Sequence, residues 1–152
     1  ELVNQLTKDG NSPLMWASWS GTLETVKLMV RTRADPKVVN RNGCTVAHWA
    51  ASGGNLEVCK YLADVVEVDF FAPNHGGNTP LSHAVAFGRL DVTRWLREKA
   101  VGGCGNDTVA AALAEDFFVW TDGDERRKQI LKVFQDESLG ATETVGNEDD
   151  GG

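Results

Sequence analysis

The chain has 152 residues, 41% apolar and 24% charged, with a formal net charge of -7. That is the make-up of one folded unit, and no apolar run reaches the roughly 18 residues that suggest a membrane span. An acidic body is a poor match for phosphate backbones, which are bound mainly through Lys and Arg, so nucleic acid is not expected as a partner. Cys44, Cys59 and Cys104 are odd in number and have no metal-ligand spacing, which argues against a disulfide framework or a metal site and for a reducing, intracellular compartment, cytoplasmic or nuclear.

Residues 1–9, ELVNQLTKD, have no helical apolar period and align with Ala34 to Asn42, so they read as the tail of a preceding repeat or a lead-in. The start at Glu1, without methionine or a basic-plus-apolar leader, is what a fragment or processed form gives. From Gly10 a single script recurs: GNSPLMWASWSGTL at 10–23, GCTVAHWAASGGNL at 43–56 and GNTPLSHAVAFGRL at 77–90. A fixed period of roughly 20–50 residues marks stacked-repeat architectures. Gly10, Gly43 and Gly77 stand where a tight turn needs a positive φ. Ser12, Thr45 and Thr79 follow as N-caps, with Pro13 and Pro80 at the first helical position.

Each first helix carries small or apolar buried residues: Leu14, Ala17 and Ser18, then Ala47, Ala50 and Ala51, then Leu81, Ala84 and Val85. Gly21, Gly54 and Gly88 read as left-handed C-caps. Second helices open at Leu23, Leu56 and Leu90, each followed by an acid that the helix dipole favours and, three residues on, by Lys27, Lys60 or Arg94. Their apolar faces comprise Val26 and Met29, Cys59 and Leu62, then Val92, Trp95 and Leu96. Loops Arg33–Asn42 and Val65–Gly76 lead to the next turn. After Ala100 the script decays: VGGCGND at 101–107 is a glycine-rich connection, 108–119 and 125–137 read as helices, and 102–137 forms a degenerate capping repeat. Residues 138–152 are acidic and aperiodic, a disordered tail.

SPLMWA, TVAHWA and TPLSHA resemble the T-P-L-H-x-A core of the ankyrin repeat, and GTLETVKLM and GNLEVCKYL resemble that family's second helix. The resemblance covers residues 1 to about 101 and, more weakly, the last helix. It implies an all-α solenoid of stacked helix-turn-helix repeats, three of them at 10–101. Of the motif histidines only His48 is present; Met15 and Ser82 stand at the other two positions, which leaves the stiffness of those turns open.

The resemblance further implies a non-catalytic module that binds another protein on a concave surface built from turn tips and first helices. Helical geometry puts Trp16, Trp19, Trp49, Ser52, Gly53, His83 and Phe87 on that side of the first helices, and the tips add Asn11, Arg41, Asn42, Cys44, His75 and Asn78. Asn11, Trp16, Trp19, Arg41, Asn42, Trp49, Ser52, His75, Asn78, His83 and Phe87 are the candidate partner-binding residues: aromatic anchors with a polar rim. The Trp16, Trp49, His83 ladder serves either packing between neighbouring helices or recognition.

His48 reads as a structural hydrogen-bonder, and His75 and His83 lack companions at zinc-ligand spacing. GGCGND lacks the ending of a phosphate loop, and Cys104 has no nearby group to activate it. Asn106-Asp107-Thr108 fits a helix cap better than a glycosylation site, and Phe117, Phe118 and Trp120 are assigned to covering the end of the stack. The expectation is therefore a monomeric protein-interaction module with no catalytic residues, metal or cofactor. The first alternative is a regulatory or targeting segment of a larger enzyme, such as a kinase or ubiquitin ligase, or of a channel. A small enzyme in its own right is disfavoured, since no nucleophile, base and orienting group stand at useful spacing.

Overall fold

The computed structural model describes residues 2–103. After a 3-10 turn at Leu2–Asn4 come three helix pairs: α1 (Pro13–Ser20) with α2 (Leu23–Arg31), α3 (Val46–Gly53) with α4 (Leu56–Asp64), and α5 (Pro80–Ala86) with α6 (Leu90–Gly103). Among the described residues there is no β-strand. The first helices α1, α3 and α5 pack side by side as an inner layer, with α2, α4 and α6 behind them as an outer layer.

The layers meet where the sequence is small or aliphatic. Ala47, Ala50 and Ala51 are fully buried on α3, so α1 and α5 approach it closely from either side. Val26, Val58, Cys59, Leu62, Val92 and Leu96 close the core from the outer layer. Each such side chain contributes about 1.5–3 kcal/mol by burial. Burial also pushes the Cys59 thiol up to about 12, so that cysteine is an inert core residue. Phe70, carried by the second inter-repeat loop, is buried edge-on against Trp95 at 5.4 Å and anchors that loop to α6, while its neighbour Phe71 stays exposed.

The three turns are copies of one another. Gly10, Gly43 and Gly77 have φ of 81°, 76° and 81°, the left-handed conformation that glycine adopts without a Cβ clash. In each turn the opening N–H reaches a carbonyl four residues on: Thr7 to Asn11 at 3.0 Å, Asn40 to Cys44 at 3.0 Å and Asn74 to Asn78 at 2.8 Å. Consecutive turn tips are then joined through the main chain, Arg41 N–H to the Asp9 carbonyl at 3.0 Å and His75 N–H to the Asn42 carbonyl at 2.9 Å.

Three expectations are corrected. Gly21 has an extended φ of -89° and is no left-handed cap; its reason is space, because a Cβ there would lie 2.5 Å from the Ala17 carbonyl oxygen. Gly53 does not open to a partner: a Cβ would lie 2.4 Å from the Trp19 carbonyl oxygen, so it is the seat on which the end of α1 rests. Residues 101–103, read as the start of a glycine-rich connection, are helical instead, the end of α6; glycine weakens a helix by about 1 kcal/mol without forbidding it. The expected capping repeat at 102–137, apart from that helix end, and the tail at 138–152 lie outside the described residues, as do Cys104, Asn106, Phe117 and Trp120.

Candidate binding groove

The inner helices start from N-caps whose partners differ from repeat to repeat. Ser12, Thr45 and Thr79 each precede a helix, and their main-chain N–H groups donate to the side chain three residues on: Met15 Sδ at 3.4 Å, His48 Nδ1 at 3.1 Å and Ser82 Oγ at 3.3 Å. The turns that lack the motif histidine thus keep the reciprocal cap with a thioether and a hydroxyl. Only His48 among the three also reaches the next repeat. Its Nδ1 accepts from Thr45, so Nε2 carries the proton and donates to the Asn78 carbonyl at 2.9 Å.

A polar chain continues from there toward the concave side. Ser52 Oγ–H donates to the His48 carbonyl at 2.9 Å, which makes the same oxygen the acceptor for His83 Nδ1–H at 3.0 Å. Arg89 Nε–H donates to the Ser52 carbonyl at 2.8 Å, closing the C-terminal end of α3. The His48 and His83 rings meet edge to face at 5.1 Å. Burial holds His48 below its usual range, outweighing the hydrogen bond to Asn78 and the Asp69 carboxylate. Burial, with the neighbouring His48, takes His83 down to about 4. Both imidazoles are neutral at pH 7.

Beside this chain the aromatic side chains assemble. Trp16 meets Trp49 at 4.8 Å between ring centroids, with planes at 61°, and Trp19 at 6.2 Å with planes at 82°. Trp16 and Trp19 are exposed by 44% and 42%, and Phe87 by 51%; Trp49 and His83 are half-buried. Together with Ser52 and Asn42 these five line a concavity of about 400 Å³, and Asn40 and Cys44 complete it. The volume lies toward the small end of the roughly 300–1,000 Å³ usual for ligand sites.

Seven of the eleven candidate residues are therefore brought together. Ser52 belongs to the wall, but it is buried and its hydroxyl is engaged inside the protein. Arg41 and His75 are exposed on the turn tips beside the concavity, where His75 Nδ1 pairs with the Arg41 carbonyl at 3.1 Å. Asn11 and Asn78 lie outside the lining: Asn11 Oδ1 accepts from Asn40 Nδ2 at 2.8 Å, and the main-chain carbonyl of Asn78 accepts from His48 at 2.9 Å. The sequence reading missed Asn40, whose Oδ1 accepts the N–H groups of Asn42 and Cys44 at 3.0 and 2.9 Å. Its signal was present, because Asn74 at the same repeat position accepts two N–H groups in the same way, from Gly76 and Asn78, and Thr7 accepts the second of the pair, from Asn11. Cys44 is buried, with Asn74 Nδ2 donating to its sulfur at 3.3 Å.

The expected acidic body is also corrected. Residues 2–103 hold eleven Lys and Arg against nine Asp and Glu, so the negative balance resides in the rest of the chain. Among the described residues no three His, Cys, Asp or Glu side chains are grouped as metal ligands would be, and no helix is long and apolar enough to cross a membrane.

The family model for ankyrin repeats (3 copies) matches residues 14–108, well over half of the chain. The chain belongs to the ankyrin-repeat family. Its helix pairs, reciprocal caps and joined turn tips are the physical content of that membership, and the ankyrin repeat is a protein-interaction module. Among curated relatives, the mouse "Glutaminase liver isoform, mitochondrial" is 30% identical over 102 residues, covering 67% of this chain and 17% of that protein. The human "Transient receptor potential cation channel subfamily A member 1" is 28% identical over 104 residues, 68% of this chain and 9% of the channel. The zebrafish "Notch-regulated ankyrin repeat-containing protein B" is 38% identical over 60 residues, 40% of this chain and 54% of that protein. The chain thus spans only a small part of the glutaminase and of the channel.

Proposed function

We propose that this chain binds a segment of a partner protein, without catalysis, in the concave groove between the inner helices and the turn tips. The observation that carries the reading is the concavity itself. Three tryptophans and a phenylalanine border it, and Trp16, Trp19 and Phe87 keep more than two-fifths of their surface exposed. Large aromatic groups left open in a depression, with exposed polar tips beside them, have the composition of an interaction hot spot. The non-catalytic part of the reading is supported by the use of His48, Ser52 and His83 as a hydrogen-bonded link between repeats. Cys44 and Cys59 are free and buried, in keeping with a reducing, intracellular compartment.

The test is affinity capture with the intact chain and with Trp19→Ala and Phe87→Ala, with circular dichroism run in parallel. The expected result is loss of captured partners with an unchanged helical spectrum and little change in melting. An unchanged set of partners from well-folded variants would end the groove reading.

A second reading is favoured by the relatives: the repeats are a regulatory or targeting segment of a larger enzyme or channel. The glutaminase and the channel are both much longer than the region they share with this chain. The full open reading frame that contains these residues decides it.

A further inference from the structure

We infer that the aromatic corner made by Trp16, Trp19 and Trp49 is a cage for a quaternary ammonium group, supplied by a trimethylated lysine on the partner chain. The inference rests on the groove reading and assigns it a ligand chemistry. Rings that cross at 61° and 82° meet edge to face and are not stacked, and all three line the concavity, an arrangement able to present indole faces to a guest at their corner. The face of an indole is the negative end of its quadrupole, and tryptophan is the best of the aromatic side chains at holding a cation.

The remaining lining explains why the guest is methylated. Asn40 is fully engaged, its Oδ1 by two main-chain N–H groups and its Nδ2 by Asn11. Ser52 Oγ both donates to His48 and accepts from His83. No carboxylate is among the lining residues. A primary ammonium has three N–H donors to satisfy and would give up water for a single exposed amide among the lining residues, Asn42 at the rim, whereas a trimethylammonium has no such donors. It offers methyl groups to the ring faces and keeps its charge. Neither is the guest opposed by a cation in the wall: burial and His48 hold His83 near 4 and therefore neutral, and Arg89 is tied to the Ser52 carbonyl at the end of α3.

The experiment titrates the full 152-residue chain with choline chloride and, at matched ionic strength, with 3,3-dimethylbutan-1-ol, which has the same shape with carbon in place of the charged nitrogen. Tryptophan fluorescence and amide chemical shifts are the readouts. The expected result is saturable binding of choline, about tenfold tighter than the alcohol, lost in Trp16→Ala and weakened in Trp19→Phe without a change for the alcohol. An array of lysine peptides, each unmodified and trimethylated, is expected to bind in the trimethylated form alone. Equal binding of choline and alcohol would make the corner an ordinary apolar pocket and overturn the inference, as would no saturation by choline. Choline binding without discrimination on the array would overturn the peptide source. Should Trp16→Ala unfold, the Trp19→Phe titration carries the decision. If the ammonium assignment fails while Trp19→Ala still loses its partners, the groove reading stands; if capture is also unchanged, both fall.

Discussion

The outer and inner helices are made of similar residue types, yet they use them differently. On α4 the apolar side chains Val58, Cys59 and Leu62 are buried together while Glu57 and Asp64 face solvent, so one face folds and the other is wetted. On α1 both faces carry large apolar groups: Leu14 and Met15 are fully buried, and Trp16 and Trp19 are not. Trp16 packs against Trp49 of the next repeat at 4.8 Å, yet it and Trp19 keep more than two-fifths of their surface exposed, which the core alone does not require. On the groove reading proposed above, function belongs to the inner layer, and mutations in the two layers are expected to have separable consequences.

The largest effect on stability is expected in the outer layer. Leu62→Ala removes a fully buried side chain and is expected to cost about 2–5 kcal/mol, read as a lower urea midpoint at unchanged slope. A cost below about 1 kcal/mol would mean that α4 is not the back of the core and that the comparison is wrong.

Acid is expected to act next, and on the inner layer. His48 and His83 both have folded pKa values below 6.5, so the unfolded chain takes up protons that the fold resists. Their contribution to stability is complete above pH 6.5 and falls as the pH drops toward about 4, the value for His83. Urea midpoints measured from pH 7 to 4 should decline, and His83→Gln should flatten part of the decline. An unaltered profile in that variant would remove His83 from the stability of the inner layer.

The smallest effect belongs to the outer surface. Lys27 lies 3.7 Å from Glu24 and 5.8 Å from the centre of the Tyr61 ring. Exposed contacts of this kind are weak, so Lys27→Ala should cost at most about 1 kcal/mol. A loss comparable to that of Leu62→Ala would show that the solvent side of the outer layer carries stability after all.

Much of the fold was legible because each signal recurs at the repeat interval. Positive φ at Gly10, Gly43 and Gly77, caps at Ser12, Thr45 and Thr79, and the buried alanines of α3 all follow from local chemistry. What escaped depended on contacts between repeats. Gly21 and Gly53 look like glycines at helix ends, and only the approach of other backbone atoms explains them. Asn11 looks like a free tip residue until Asn40 is placed beside it. For the site, helical spacing alone put Trp16, Trp19, Trp49, His83 and Phe87 on one side, whereas the internal hydrogen bonds of Ser52 and the contribution of Asn40 required the stacked neighbour.

The join between turn tips has a consequence for how such a surface changes over generations. Asp9 to Arg41 and Asn42 to His75 are linked by main-chain N–H and carbonyl groups, which every residue but proline supplies. Side chains at positions 9, 41, 42 and 75 can therefore be exchanged without breaking the register of the stack. On the proposed groove reading, the rim is a rewritable alphabet on a fixed page, where selection or a designer changes the partner while leaving the fold alone.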